Sequence, residues 1–268
     1  MRKLIQPLIF ALLQTWLMSI SSAQALDAEE VTRSNWVGLS LSGNHVQFKD
    51  YLLSKLKNQG MITGGRLFYE HNGIKSMQRV NLNFGNGGGV KNRYGVSTLV
   101  RNWSYNYSYA RKISGFKNGR GACFLGGLIN GGSNGYFSEM LDEDHFYWLT
   151  SYDLGLYGIV DYRIGERNQL SVGLNLPVIS LISRPPRYRY YKSDKFDFSY
   201  ILDKVHEDFE FSAFNTYTAV RFEFNDTFDI SSRVKERISY QLRYDRFKHP
   251  ETITMISHSV GLSLIYGF

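Results

Sequence analysis

The chain has 268 residues, of which 43% are hydrophobic, 15% are aromatic and 21% are charged, and its formal net charge is +7. With 25 glycines against only 5 prolines, the composition favours long strands joined by turns. The single Cys123 excludes an internal disulfide, and its neighbours Ala122 and Phe124 predict a buried or lipid-facing wall position. So small a positive excess argues against nucleic-acid binding and suits an anionic lipid surface better.

Residues 1–25 have the features of a secretory signal peptide. Arg2 and Lys3 precede an apolar run from Leu4 to Ile20, and Ala-Gln-Ala at 23–25 forms a cleavage-type site. Removal of this segment lowers the charge of +7 by two, because Arg2 and Lys3 leave with it. No later apolar run approaches the ~18 residues that a transmembrane helix requires, which argues against a helical membrane protein.

After a polar lead-in at residues 26–35, alternation with a period of two predicts ten strands. The expected strands are 36–46, 61–70, 77–84, 96–112, 121–130, 147–162, 170–182, 209–224, 230–244 and 252–268. We expect longer loops at 47–60, 85–95, 131–145 and 183–208, and short turns elsewhere, including one at 225–227. The glycine cluster within 85–95 lacks the Gly-Lys-Ser/Thr of a phosphate-binding loop, so a flexible loop is the favoured interpretation.

The fourth predicted strand carries an aromatic stripe. Its members share one face and alternate with small polar residues: Trp103, Tyr105, Tyr107 and Tyr109. Tyr and Trp concentrate where a protein wall crosses the boundary between lipid and water, so the stripe predicts an aromatic girdle. Base stacking on single-stranded nucleic acid is the alternative, and the secretory leader makes it the weaker one.

The last predicted strand, 252–268, has the clearest alternation in the chain. One face is apolar and ends in aromatics, whereas the other is small and polar. This pattern resembles the C-terminal β-signal of bacterial outer-membrane β-barrels, in which a polar residue and a glycine precede hydrophobic or aromatic residues at alternate positions up to a terminal Phe. Those positions are taken here by Ser259, Gly261, Leu264, Tyr266 and Phe268, and the alternation runs two residues past the usual end of the signal.

The resemblance implies an all-β fold, a single antiparallel transmembrane β-barrel of about ten strands over residues 36–268. It implies short periplasmic turns, longer extracellular loops, and a periplasmic position for residues 26–35. The barrel-assembly machinery would insert the chain into the outer membrane of a Gram-negative bacterium through Gly261, Leu264, Tyr266 and Phe268. Its outer wall would contact lipid and lipopolysaccharide. Ser-Arg-Pro after the seventh strand and the Gly/Asn-rich turns are similar to barrels of the Bacteroidota group.

Charged residues at inward positions predict a lumen charge network. Its members are Arg66, Arg79, Asp153, Asp161, Arg221, Glu223, Arg233, Lys235, Arg237 and Arg243. In a barrel of about ten strands, side chains of this size nearly fill the interior, so we expect a charge-paired plug. The cations of the ninth strand need acids on neighbouring strands, and Glu223, Asp153 and Asp161 are the candidates. The alternative is a narrow, porin-like path along that strand that prefers anions.

A second candidate site is the loop that follows the seventh strand. It alternates cations with aromatics after a proline pair, and its residues are Arg184, Pro185, Pro186, Arg187, Tyr188, Arg189, Tyr190, Tyr191 and Lys192. Such a surface suits a protein partner, a sugar or an anionic lipid head group. A solvated loop without a partner is the alternative, because loops tolerate these residues freely.

The sequence does not favour catalysis, and no feature predicts a cofactor or a metal site. Outer-membrane phospholipases and lipid A deacylases require His and Ser two positions apart on one strand, so that both point the same way. His258 instead adjoins Ser257 and Ser259, which therefore face the opposite side.

The segment Asp142, Glu143, Asp144 and His145 is similar to the acidic and His-Asp pairs of omptin proteases, but no second pair opposes it. We interpret it as a solvated acidic loop. The sequence therefore predicts a non-catalytic structural or accessory subunit of an outer-membrane complex for uptake, secretion or barrel assembly. An omptin-like or lipid-modifying enzyme is the last alternative.

Overall fold

In the computed structural model, strands form one antiparallel sheet that closes on itself. The structure describes residues 34–51, 55–116, 119–140, 143–185, 191–192, 205–206 and 208–268. The predicted signal peptide and almost all of the predicted lead-in lie outside these ranges. The strands of the described part are β1 (Ser34–Asp50), β2 (Asn58–Asn72), β3 (Ser76–Lys91), β4 (Ser97–Gly115), β5 (Gly121–Met140), β6 (Glu143–Ile164), β7 (Asn168–Ser183), β8 (Tyr191–Lys192), β9 (Glu210–Ala213), β10 (Tyr217–Asp229), β11 (Val234–Phe247) and β12 (Ile253–Gly267).

Ten of the described strands form the closed ring. β1 to β7 pair in chain order, β7 pairs with β10, and β10 to β12 lead back to β1. The two short strands extend this ring, since β8 pairs with the start of β6 and β9 pairs with the end of β7. The predicted all-β, ten-stranded antiparallel barrel is confirmed. We call the end that carries Ser34 and Phe268 the terminal end, and the opposite end the far end.

Several strands reach further towards the far end than the sequence predicted, and the loops expected at 47–60, 85–95 and 131–145 are wrong in extent, whereas the predicted strand 209–224 is divided into β9 and β10. β1 and β2 reach into the expected loop 47–60, β3 runs through the glycine cluster to Lys91, and β5 and β6 leave only 141–142 between them. The turn expected at 225–227 lies instead at 230–233, because β10 continues to Asp229. Alternation fades at these places, yet the backbone ladder continues, since pairing needs no particular side chain.

The outer wall is apolar where the sequence alternates. On β1, Leu41 is 72% exposed and its neighbour Ser40 only 3%, so successive residues face lipid and interior in turn. The same outward exposure recurs around the ring at Leu67, Leu82, Leu154, Leu156, Val172, Ile238, Leu262 and Leu264. Tyr107 and Tyr109 of the aromatic stripe also face outward, whereas Cys123 is buried.

Among the residues that the structure describes, no helix is long and apolar enough to cross a membrane.

Two apolar clusters close the interior from the far end. We call them together the far plug, and they comprise Val46, Phe48, Ile62, Val90, Val100, Tyr136, Tyr147 and Met255, with Leu149, Ile182, Tyr217, Ala219, Phe247 and Ile253 beside them. A matching near plug lies towards the terminal end and comprises Trp36, Phe68, Ile265, Met77, Ala110, Ala122, Phe124, Leu128, Tyr157 and Ile159. The lumen therefore has a hydrophobic core of its own, which the sequence analysis missed.

Closure depends on the seam between the first and last strands. β12 pairs with β1 over fifteen residue pairs, from Trp36 with Gly267 to Asp50 with Ile253. Within this seam Gly261 faces inward, and a Cβ added to it would lie 2.9 Å from Ser239 Oγ and 3.0 Å from Ser40 Oγ. The glycine of the predicted insertion signal is thus required by the packing of the finished barrel.

We expect Gly261→Val to lower the free energy of unfolding by about 1–3 kcal/mol, because the new side chain overpacks the inner face of the seam. Urea unfolding in lipid vesicles, followed by tryptophan fluorescence, measures this loss. Gly43→Val is the matched control, since a Cβ there would meet only Met61 Cε at an ordinary 3.7 Å. An equal loss in both variants would show that crowding at Gly261 is not the cause.

Candidate functional site

A buried carboxylate from β2 organises the charged part of the lumen. Arg237 of β11 donates from Nη1 to Glu70 Oε1 at 2.7 Å and from Nη2 to Glu70 Oε2 at 2.8 Å. Arg79 of β3 places its Nε 3.3 Å from the same Oε1. All three residues are at most 8% exposed. This two-pronged geometry is the strongest that a carboxylate and a guanidinium can form, and it ties together strands on different sides of the ring.

Each arginine also donates a hydrogen bond to a neutral side chain. Arg237 Nε donates to Thr227 Oγ1 at 3.0 Å, and Arg79 Nη1 donates to Tyr157 Oη at 3.0 Å. Each buried cation is therefore fixed by at least two strands. We call Glu70, Arg79 and Arg237 the Glu70 cluster.

Three further ion pairs lie elsewhere in the lumen. Arg66 lies 3.5 Å from Glu223, Arg221 lies 3.2 Å from Asp153, and Arg243 pairs with Asp245 on its own strand. Neutral side chains donate hydrogen bonds to two of these carboxylates. Asn130 Nδ2 donates to Asp153 at 2.6 Å, and Tyr217 Oη donates to Asp245 at 2.8 Å.

The structure corrects the expected partners of the ninth predicted strand. Arg237 pairs with Glu70, Arg243 with Asp245, and Lys235 with Asp229 at 3.0 Å. Glu223 and Asp153 instead pair with Arg66 and Arg221, which face them from other strands. Asp161 lies in the interior, and its Oδ1 has no hydrogen-bond partner in the described part of the chain.

Arg233 does not belong to the lumen. It lies in the turn before β11 and its side chain is exposed. The reason is the displaced turn, because β11 begins at Val234 rather than at residue 230. Glu70 and Asp245 carry ion pairs although neither was among the expected partners of the ninth strand, and the spacing of Arg243 and Asp245 on one face was visible in the sequence.

A polar chamber of about 160 Å³ lies inside the barrel. The far plug borders it through Val46 and Ile62, and the Arg66–Glu223 pair also lines it. Most of the remaining wall is formed by hydroxyl groups and by side-chain amides such as Asn44, Asn81, Asn102, Asn106, Asn130 and Asn175. The lumen thus contains, between its packed regions, a compartment whose lining is largely polar.

The start of the predicted partner loop is part of the barrel. Arg184 is buried, donates from Nη2 to Asp50 Oδ1 at 2.7 Å, and donates from Nη1 to the carbonyl of Glu251 at 2.6 Å. It therefore ties the end of β7 to β1 and to the connection before β12, rather than meeting a partner. Pro185 is buried beside it. Residues 186–190 lie outside the described residues, and Tyr191 and Lys192 form β8.

The acidic segment is not the loop that the sequence predicted. Glu143, Asp144 and His145 belong to β6 and pair with the end of β5, because the ladder between the two strands continues to Met140 and Glu143. Asp142 lies outside the described residues. Within the ranges that the structure covers, no group of three His, Cys, Asp or Glu residues has a geometry that could hold a metal ion.

The described residues just before β9 pack against the outer face of β6. Val205 contacts the buried side chains of Phe146 and Trp148. Tyr152 Oη lies 2.6 Å from His206 Nε2, and its ring lies 5.6 Å from that of Phe209. At the far end, this part of the outer wall is therefore covered by protein.

Comparison with known proteins places this geometry in a wider group. No protein-family model matches the sequence, and no curated protein sequence matches it. Among solved structures, the outer membrane protease OmpT from Escherichia coli has a TM-score of 0.56 at 8% identity, over 92% of this chain and 100% of that chain. The chain has the fold of a bacterial outer-membrane β-barrel. The translocator domain of the autotransporter NalP from Neisseria meningitidis is also similar, with a TM-score of 0.48 at 7% identity over 96% and 95% of the two chains.

We expect Arg237→Leu to lower the free energy of unfolding by about 3–5 kcal/mol, because it leaves Glu70 buried with one cation instead of two. The measurement is urea unfolding in lipid vesicles. Arg233→Leu is the matched control, and its exposed side chain predicts a change within about 0.5 kcal/mol. Equal effects of the two variants would refute a stabilising role for the Glu70 cluster.

Proposed function

We propose that the protein is a non-catalytic outer-membrane barrel with a closed lumen, which acts as a structural or accessory subunit of an outer-membrane complex. The observation that carries this proposal is the filled interior. The Glu70 cluster and two apolar plugs occupy the lumen, and the polar chamber lies next to the far plug. A barrel of this size without a through path serves by the surfaces it presents rather than by transport.

The pairing of the cations on β11 supports this choice over an anion-preferring channel. A selective path needs cations that are available to a passing anion. Arg237 is bound to Glu70 through two nitrogens, and Arg243 is paired with Asp245. Arg233 lies outside the lumen. Of the cations that suggested a path in the sequence, Arg237 and Arg243 are therefore paired with carboxylates, and Arg233 lies outside the interior.

The far end supplies the surface for a partner. β5 and β6 leave only residues 141–142 between them there, and Val205, just before β9, packs against Phe146 and Trp148 of β6. β5 and β6, with 20 and 22 residues, are the longest of the described strands and carry the hairpin to this end of the barrel. The cations and aromatics at 186–192 belong to the chain between β7 and β9 and suit a protein partner.

We expect the purified barrel to give no conductance steps in planar lipid bilayers, because the plugs and the Glu70 cluster fill the path. An anion-selective conductance that Arg237→Gln alters would overturn the closed-lumen proposal in favour of the channel. The Arg233→Leu variant is the control, since its side chain lies outside the lumen.

We expect a mild-detergent pull-down of the tagged barrel from native outer membranes to recover a stoichiometric partner, identified by mass spectrometry. A matched variant, with residues 187–204 replaced by a short Gly-Ser linker, keeps every barrel strand except β8 and should lose that partner. Heat-dependent migration on gels checks that this variant is folded. Recovery of the barrel alone from both strains would contradict the accessory role.

A further inference from the structure

Two arginines face each other across neighbouring strands inside the barrel. Arg221 of β10 is paired in register with Arg243 of β11, and both side chains line the polar chamber. Like charges directly opposite each other on one face of a sheet repel and destabilise the strand pair. An anion that contacted both guanidinium groups would offset this repulsion.

The carboxylates that pair with these two arginines do not line the chamber. The side chains of Asp153 and Asp245 are only 0% and 2% exposed, whereas those of the two arginines are 15% and 24% exposed. A third guanidinium, from Arg66, and one carboxylate, from Glu223, complete the charged part of the wall. A guest molecule therefore meets three cationic groups and one anionic group, which is a positively charged surface.

These guanidinium groups have N–H donors that a guest can reach. Arg221 donates to its carboxylate through Nη2, and Arg243 donates through Nε and Nη2. Nη1 of both arginines makes no hydrogen bond within the described residues. The guanidinium of Arg66 has an ion pair with Glu223 at 3.5 Å and makes no hydrogen bond in the same ranges. Unlike Arg221 Nε, none of these nitrogens is both fully buried and unpaired, so they remain accessible from the chamber.

Glycines make room for neutral donors around the cations. A Cβ added to Gly64 would lie 2.8 Å from Asn44 Nδ2, and one added to Gly85 would lie 2.3 Å from Asn102 Oδ1. The amides of both asparagines extend along the chamber wall for this reason. Because an amide carries both a donor and an acceptor, it suits many guests, and the guanidinium groups decide the charge of the guest.

The volume and the shape of the donors narrow the choice of anion. The chamber has about 160 Å³, whereas one water molecule takes about 30 Å³ of the liquid, so a polyatomic ion fits. A guanidinium presents pairs of N–H groups that match pairs of oxygens on an oxyanion. A tetrahedral ion can offer such oxygens in three directions at once, which a planar carboxylate cannot.

We propose that the chamber binds one small tetrahedral oxyanion, of the phosphate or sulfate class, through Arg66, Arg221 and Arg243. An ion held in one chamber needs no conducting path through the barrel. The site is therefore additional to the proposed accessory role and does not depend on it.

The test uses inorganic phosphate and the full barrel. The protein is refolded from urea into micelles of a sugar-based detergent with ³²P-phosphate present, so that entry into the folded lumen does not limit binding. Equilibrium dialysis then measures the bound ion. We expect Arg66→Gln to weaken phosphate binding by about tenfold or more, because hydrogen bonds between a cation and the anion are lost.

Arg233→Gln is the matched control, since its exposed side chain lies outside the lumen, and it should bind phosphate as the wild type does. Heat-dependent migration on gels checks that both variants are folded. A measurement on the wild type needs no variant: with ¹⁵N-labelled arginine, phosphate should shift the Nε–H signals of Arg66 and Arg243 and leave that of Arg233 in place.

Three results would overturn the proposal. The first is a wild-type barrel that binds no phosphate and shows no shifted arginine signals, which would mean that the chamber holds water alone. The second is equal phosphate binding by the wild type and Arg66→Gln. The third is displacement of phosphate by chloride at equal concentration, which would refute the assignment of an oxyanion.

Discussion

The structure depends on one constraint, which is that lipid offers no hydrogen-bond partners to a peptide backbone. A sheet in lipid must therefore close, and here β12 meets β1 over fifteen residue pairs. Closure fixes which of two successive side chains on each strand faces outward. On β1, Leu41 faces lipid and Ser40 faces the interior. Closure also creates a confined lumen, in which the inward-facing side chains must pack and pair with one another.

The lumen meets this requirement by placing apolar and charged side chains in separate groups along the barrel. Apolar side chains gather into the far and near plugs, and charged side chains are paired so that no buried cation or carboxylate is isolated at the Glu70 cluster. Buried ion pairs contribute little net stability compared with apolar packing, but they are costly to break. Their geometry is specific, and Glu70 therefore fixes the relative positions of β2, β3 and β11.

The fold could be predicted from the sequence because alternation of apolar and polar residues with a period of two indicates a strand with one face in lipid. The same reasoning was wrong at the far end. It predicted a loop for the glycines after Phe84, although Gly87 pairs with Val100 on the neighbouring strand. Once a strand leaves the lipid, its outer face no longer needs to be apolar, and the periodic signal disappears while the ladder persists.

The interior was less predictable for a geometric reason. Alternation indicates that Arg237 faces inward, but its partner Glu70 is 167 residues away on a strand that is not its neighbour. That contact depends on the tilt and curvature of the whole ring, neither of which local sequence encodes. The pair of Arg243 and Asp245 was readable, since two positions on one strand share a face. The chamber combines both problems, because its walls come from many strands.

The seam also governs the order of events in biogenesis. Trp36 and Gly267 are paired across the seam yet lie near opposite ends of the described chain, so the barrel has very long-range contacts and folds slowly by topology. Until β12 arrives, β1 and β11 are both open edges that can pair with other chains. The protein must therefore be kept apart from its own copies during its passage to the membrane, and the final step of folding is also the step that removes its aggregation hazard.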